Sequence, residues 1–282
     1  MANTFSLKKL LEKNGIDLKK SLGQNFLIDD YYPEKIAESA SEISTGVIEI
    51  GPGAGALTRH LCRHFKRVAA IELDKRMKPL LDEALAEFDN YEIIYGDVLK
   101  VDLAKIIDDM KVDSVSVVAN LPYYITTPII MKLLESGLSL KAITVMVQKE
   151  VADRLCADLP GKNAGAVTVM VNYYARPEIL FKVPRSCFLP VPKVDSAVIR
   201  LSDLRSGRTP VKNEKNFKRL VSAAFNYRRK TFVNSVNQSL GLGKPLIINA
   251  LEKREIIVTA RAEELSLEDF AFLSDLLFDG GK

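Results

Sequence analysis

Short apolar runs alternate with helical stretches through the first half of the chain, and this alternation restricts the fold more than any other feature. Runs 47–50, 68–73, 91–95, 115–119 and 142–148 are rich in Val and Ile. Between them, 57–65, 77–88, 103–110 and 128–134 read as helices, and 30–43 reads as an earlier one. Strand–helix alternation at this spacing predicts an α/β, Rossmann-like fold with a mostly parallel sheet covered on both faces. Two more strands are expected, at 166–174 and 196–201, with Pro177, Pro184, Pro190 and Pro192 marking stiffened loops between them. After a polar stretch at 202–210 the pattern is helical throughout. Phe217, Leu220, Val221, Ala224, Phe225, Phe232, Val233, Val236 and Leu240 recur mostly at three and four residues, with Gly241 as a C-cap. Helices are also expected at 245–251 and 267–278, the last with Ser266 as N-cap. The expected domains are therefore 1–204, α/β with a basic N-terminal arm, and 205–282, small and all-α.

Composition excludes several classes. With 47% hydrophobic and 27% charged residues, the 282-residue chain reads as an ordinary soluble globular protein. No apolar run approaches the roughly 18 residues that span a bilayer. The first ten residues lack the apolar core of a signal peptide. Cys62, Cys156 and Cys187 are odd in number and far apart, which offers no disulfide framework. A cytoplasmic location without a membrane partner is expected. His60 and His64 stand four apart on an expected helix without a third ligand, so no metal site is expected.

The ends of the expected strands carry the candidate cofactor site. The first run passes into Gly51-Pro-Gly53-Ala-Gly55-Ala56 and then a helix start. A strand, a glycine-rich turn and a helix form a nucleotide-cofactor site at a topological switch point, and Gly51, Gly53 and Ala56 also satisfy the dinucleotide pattern. The next strands end at Glu72-Leu-Asp74, at Gly96-Asp97 and at Asn120. Glu72 is placed for ribose hydroxyls and Asp97 for an adenine amino group. That order fits S-adenosyl-L-methionine better than a nicotinamide cofactor, and nothing offers an acid or base for hydride transfer. Glu49 is an acid inside a buried strand, costly unless hydrogen-bonded, and is expected to brace the glycine turn or the N-terminal segment.

Asn120-Leu121-Pro122-Tyr123 suggests the acceptor site. An aromatic amine is a poor nucleophile because its lone pair is delocalised into the ring. Two acceptors on its N–H groups, the Asn120 side-chain oxygen and the Leu121 carbonyl, would orient it and favour the pyramidal form. Pro122 would hold Leu121 extended and remove a competing N–H. Tyr123 could stack on the base, as in flipped-base pockets. No strong general base is needed; positioning and electrostatics would supply most of the rate. Phe188, in a segment stiffened by Pro190 and Pro192, could wall the other face of the base.

Charge by itself leaves a phosphate-binding patch and a solvated helix face equally open. Net charge is only +4, yet 205–230 holds nine Lys or Arg against one acid, Glu214. Residues 36–140 instead hold eleven bases and sixteen acids. A concentrated basic segment is what phosphate binding requires.

Taken in order, Ser21-Leu-Gly-Gln-Asn25-Phe-Leu27, Glu49-Ile-Gly-Pro-Gly53-Ala-Gly, Ile71-Glu-Leu-Asp74, Asn120-Leu-Pro-Tyr123, Gln148-Lys-Glu-Val-Ala152-Asp-Arg, Phe188-Leu-Pro-Val-Pro-Lys-Val-Asp-Ser196 and Phe225-Asn-Tyr-Arg-Arg-Lys230 resemble the motifs of the small-subunit ribosomal RNA adenine dimethyltransferases. The resemblance implies a class I methyltransferase fold. It implies S-adenosylmethionine contacts from Asn25, Leu27, Gly51, Gly53, Glu72, Asp97 and Asn120, with S-adenosyl-L-homocysteine as product. It implies that Asn120, Leu121, Pro122 and Tyr123 hold the target adenine, with Phe188 nearby. It further implies two N6,N6-dimethyladenines in a 3′-terminal hairpin of 16S rRNA, on an assembling 30S subunit, with 205–282 seating a monomeric enzyme on rRNA. Gly161-Lys-Asn-Ala164-Gly departs from relatives that carry a Tyr after a Lys-rich loop. The rival readings are a large-subunit adenine methyltransferase and a catalytically silent RNA-binding assembly or transcription factor.

Overall fold

The computed structural model describes residue 13 and residues 25–122, 125–204 and 209–279. The N-terminal arm other than Lys13, the motif residues Ser21 to Gln24, Tyr123, and the bases Arg205 and Arg208 lie outside the described residues. The strands are β1 (Phe26–Leu27), β2 (Gly46–Ile50), β3 (Arg67–Glu72), β4 (Tyr91–Tyr95), β5 (Val115–Asn120), β6 (Leu140–Gln148), β7 (Arg176–Val183), β8 (Phe188–Leu189) and β9 (Ser196–Ser202). Helices α1 (Tyr31–Ser41), α2 (Thr58–His64), α3 (Lys78–Ala84), α4 (Leu103–Met110), α5 (Thr126–Glu135), α6 (Lys149–Leu155) and α7 (Ala166–Tyr174) fall among them. Helices α8 (Glu214–Phe225), α9 (Phe232–Leu240), α10 (Lys244–Glu252) and α11 (Leu267–Asp279) follow.

Seven strands form one sheet in the order β4-β3-β2-β5-β6-β9-β7, and β1 pairs separately with β8. From β4 to β6 all neighbours are parallel, while β9 runs antiparallel to β6. The chain moves outward from β2 through β3 to β4, then returns to the other side of β2 for β5. That reversal opens a crevice at the carboxyl ends of β2 and β5, where open α/β sheets bind ligands. The central strands are apolar along their length because both faces are covered: every residue of β2 is buried, as are the first five of β5.

The chain divides into two compact units, 1–152 with 178–204 and 153–177 with 205–282. The expected division at 204/205 therefore differs in one segment, 153–177. Within that segment 166–174 is α7 and not the expected strand. Gly165 N–H donates to Thr168 Oγ1 (3.0 Å) and the Thr168 hydroxyl donates to the Arg154 carbonyl (2.7 Å), which fixes the start of the helix. Its Tyr173 ring lies 4.6 Å from that of Phe217, and the Tyr174 hydroxyl donates to Glu214 (2.6 Å). Residues 176–183, expected as a proline-marked loop, form the edge strand β7. Pro177 sits at its second position, where an edge tolerates a missing N–H.

The helical unit otherwise follows its sequence. Phe217, Phe232 and Phe270 are fully buried, and Gly241 ends α9 in the left-handed conformation at φ +71°. Ser266 and Asp269 cap α11 reciprocally: each side chain accepts from the other's backbone N–H. Arg228, Arg229 and Lys230 are exposed in the turn between α8 and α9.

Candidate active site

A single cavity gathers the strand-end residues. Asn25 and Leu27, Gly51 and Gly53, Glu72 and Asp74, Asp97, and Asn120 to Pro122 all line it. The apolar side chains of Leu73, Val98, Ile125 and Ile129 complete its walls. Those four gave no signal of their own in the sequence, because an apolar wall beside a polar strand end reads as ordinary core.

The glycine turn is shaped by what approaches it. Gly51 has φ +73°, and a Cβ there would point into open space. Gly53 has φ +57°, and its Cβ would stand 2.7 Å from the Phe26 ring. Only glycine fits that close approach without strain. Phe26 thus presses the β1 segment onto the turn, which brings Asn25 and Leu27 to the cavity.

Glu72, 5% exposed, holds the turn from the other side. Its Oε2 accepts the Gly53 N–H (3.0 Å) and its Oε1 accepts the Asp74 N–H (2.7 Å). Burial raises its carboxyl, against the pull of those two backbone donors. A carboxylate offers about four acceptor positions, and the backbone donors of this turn do not use them all. The brace expected from Glu49 is therefore supplied by Glu72. Glu49 is 1% exposed, and its Oε2 has no hydrogen-bond partner among the described residues. Burial pushes its carboxyl up to about 8; the Glu72 charge acts in the same direction and the Thr58 hydroxyl opposes both.

Asp97 takes the Leu99 N–H on its side chain (2.9 Å) and fixes the turn after β4. Asn120 spends its amide donor on the Asn25 carbonyl (3.1 Å). Neither its Oδ1 nor the Leu121 carbonyl accepts a hydrogen bond among the described residues. The Pro122 carbonyl accepts from Ile125 N–H (3.2 Å) and Thr126 Oγ1 (3.1 Å), which ties the motif to the start of α5. Phe188 is 1% exposed and packs in the core with Phe26 and Leu27; it is not among the residues lining the cavity. Phe188 pairs with Leu27 in the β1–β8 ladder.

The residues fit an adenosyl cofactor by their own geometry. An open glycine turn, a buried carboxylate and the apolar side chains of Leu73 and Val98 line one cavity at the switch point of the sheet. Fold and site define a class I methyltransferase.

Comparison with known proteins specifies the family. The family model described as "Ribosomal RNA adenine dimethylase" matches residues 15–278. "Ribosomal RNA small subunit methyltransferase A" of Bacillus pumilus is 46% identical over 283 residues, covering 98% of this chain and 97% of its own. The protein of the same name from Clostridium perfringens is 48% identical over 271 residues, covering 96% and 94%. Among solved structures, a dimethyladenosine transferase from Plasmodium falciparum matches with a TM-score of 0.71 at 27% identity, over 88% of this chain and 95% of its own. The 23S rRNA methyltransferase ErmE matches with a TM-score of 0.68 at 27% identity, over 89% and 99%. The chain belongs to the ribosomal RNA adenine dimethylase family.

Proposed function

We propose that this enzyme transfers methyl groups from S-adenosylmethionine to the N6 amines of two adjacent adenines in a 3′-terminal hairpin of 16S rRNA, acting as a cytoplasmic monomer on the assembling 30S subunit. One observation carries the chemistry: Asn120 engages its amide donor on Asn25, and neither its Oδ1 nor the carbonyl of its neighbour Leu121 accepts a hydrogen bond among the described residues, both residues lining the cavity. Two adjacent acceptors match the two N–H groups of an exocyclic amine. Accepting from both favours a pyramidal nitrogen, whose lone pair is less delocalised into the ring and can be aimed at the cofactor methyl. Asn25, Leu27, Gly51, Gly53, Glu72, Asp97 and Asn120 would hold S-adenosylmethionine, which supplies an electrophilic methyl on its sulfonium and leaves as S-adenosylhomocysteine. The departing proton comes from an amine already methylated and strongly acidic, so solvent suffices as its acceptor. Tyr123 is assigned to stacking on the base by its place in the motif, and Phe188 to holding β1 beneath it.

The helical unit is assigned to rRNA binding, with the exposed Arg228, Arg229 and Lys230 turn as its phosphate contact. The deciding experiment offers undermethylated 30S particles, 50S particles and naked RNA to the enzyme with radiolabelled cofactor, then maps the modified base. Label on adjacent adenines of 30S particles is expected. Label on large-subunit RNA would overturn the choice of subunit, and no label on any RNA would favour a silent binding factor.

A further inference from the structure

Outside the cavity, ionisable side chains gather where α1 meets α2. Glu34, in the first turn of α1, accepts from two histidines of α2: His60 Nδ1 lies 2.5 Å from its Oε2 and His64 Nε2 lies 2.7 Å from its Oε1. Both carboxylate oxygens are thus occupied by one histidine each. Asp30, just before α1, pairs with Arg59 and stands 3.4 Å from His60 Nε2. Among the described residues no group of three or more His, Cys, Asp or Glu is arranged to hold a metal ion, so the cluster acts through these hydrogen bonds.

Its position is informative. Helix α1 begins four residues after Leu27, and α2 begins directly after Leu57; Leu27 and Leu57 both line the cavity. The cluster therefore joins the segment that bears Asn25 and Leu27 to the helix that leaves the glycine turn. It fixes the spacing of two cavity walls from behind, while Phe26 against Gly53 fixes it from within. We propose that Glu34, gripped by His60 and His64, is a positioning residue for cofactor binding. The proposal rests on the reading of the cavity as the S-adenosylmethionine site.

His60 is 3% exposed, so its bond to Glu34 is shielded from solvent. Glu87 pairs with Arg63 of α2 (3.4 Å), and Lys35 and Glu38 of α1 rim the same groove. Removing the Glu34 carboxylate removes the acceptor that ties both histidines of α2 to α1.

Titration calorimetry with S-adenosylmethionine at about pH 7.5 tests this on the full chain, comparing wild type with Glu34→Gln and His64→Asn. Both positions are partly exposed, which favours folding, and thermal melts of each protein accompany the binding curves. Each variant should bind about fivefold more weakly, with kcat at saturating cofactor unchanged. Variants that keep the wild-type Kd, with or without a lowered melting temperature, overturn the clamp. A wild type that binds no S-adenosylmethionine overturns the cofactor reading instead.

Discussion

Asn120 divides its amide between two tasks. Its donor secures the Asn25 carbonyl, a contact that spans 95 residues of sequence, and its oxygen is the acceptor proposed for the substrate amine. Replacing it with Ala should lower methyl transfer by roughly 10²–10³-fold, as removing one preorganised polar group does in other enzymes. Cofactor binding should persist within a few-fold, because the glycine turn and Glu72 remain. Filter-binding of labelled cofactor alongside methyl incorporation separates the two effects, and full activity in Asn120→Ala would remove the amine clamp from consideration. Glu49 makes a different prediction. Its carboxyl titrates near 8 in the folded state against 4.5 in an open chain. The folded state therefore favours the protonated form, and stability drains away as pH rises from about 4.5 through about 8. Glu49→Gln should gain melting temperature over wild type progressively across that window and hold the gain above it. Calorimetric melts from pH 5 to 9 would show the two curves diverging; parallel curves would mean that Glu49 ionises freely.

At the level of elements, α7 depends on one hydroxyl. Thr168 both accepts from Gly165 and donates to the Arg154 carbonyl in a fully buried position. Thr168→Val keeps the shape but strands two backbone groups, which should cost about 1–3 kcal/mol in urea unfolding. The same helix shows where sequence legibility ends. Residues 166–174 are Val- and Tyr-rich and mostly buried, so they carry no polar face to mark a period of 3.6, and they read equally as a strand. Strands β2 to β6 were legible because short Val- and Ile-rich runs alternate with helices whose polar faces are visible. Edge strand β7 was hidden by Pro177 and by exposure on both sides. At the site, Gly51, Gly53, Glu72, Asp97 and Asn120 announced themselves as polar or glycine residues at strand ends. Asn25 and Leu27 came only through the family resemblance, because a two-residue strand has no periodicity. The Phe26–Gly53 contact, and the core placement of Phe188, are products of tertiary packing that neighbours in sequence do not encode.

For the whole molecule, the proposed function assigns cofactor binding to the acidic middle of the chain and RNA binding to the basic 205–230 segment. Neutralising Arg228, Arg229 and Lys230 together should weaken RNA binding without changing cofactor affinity. It should also reduce the steepness of the salt dependence by roughly one for each phosphate that is no longer neutralised. Unchanged salt sensitivity would move the RNA surface elsewhere. The interrupted path of the chain has a further consequence, for synthesis. The helical unit takes α7 from the middle of the sequence and its partners α8 and α11 from the end. While the ribosome is still making 205–279, the sheet can be complete but α7 lacks α8 and α11. A nascent or truncated chain ending at 204 therefore exposes the apolar side chains of α7 that those helices cover. Such a fragment should aggregate or recruit a chaperone, while one that also replaces 153–177 with a short polar bridge should stay in solution.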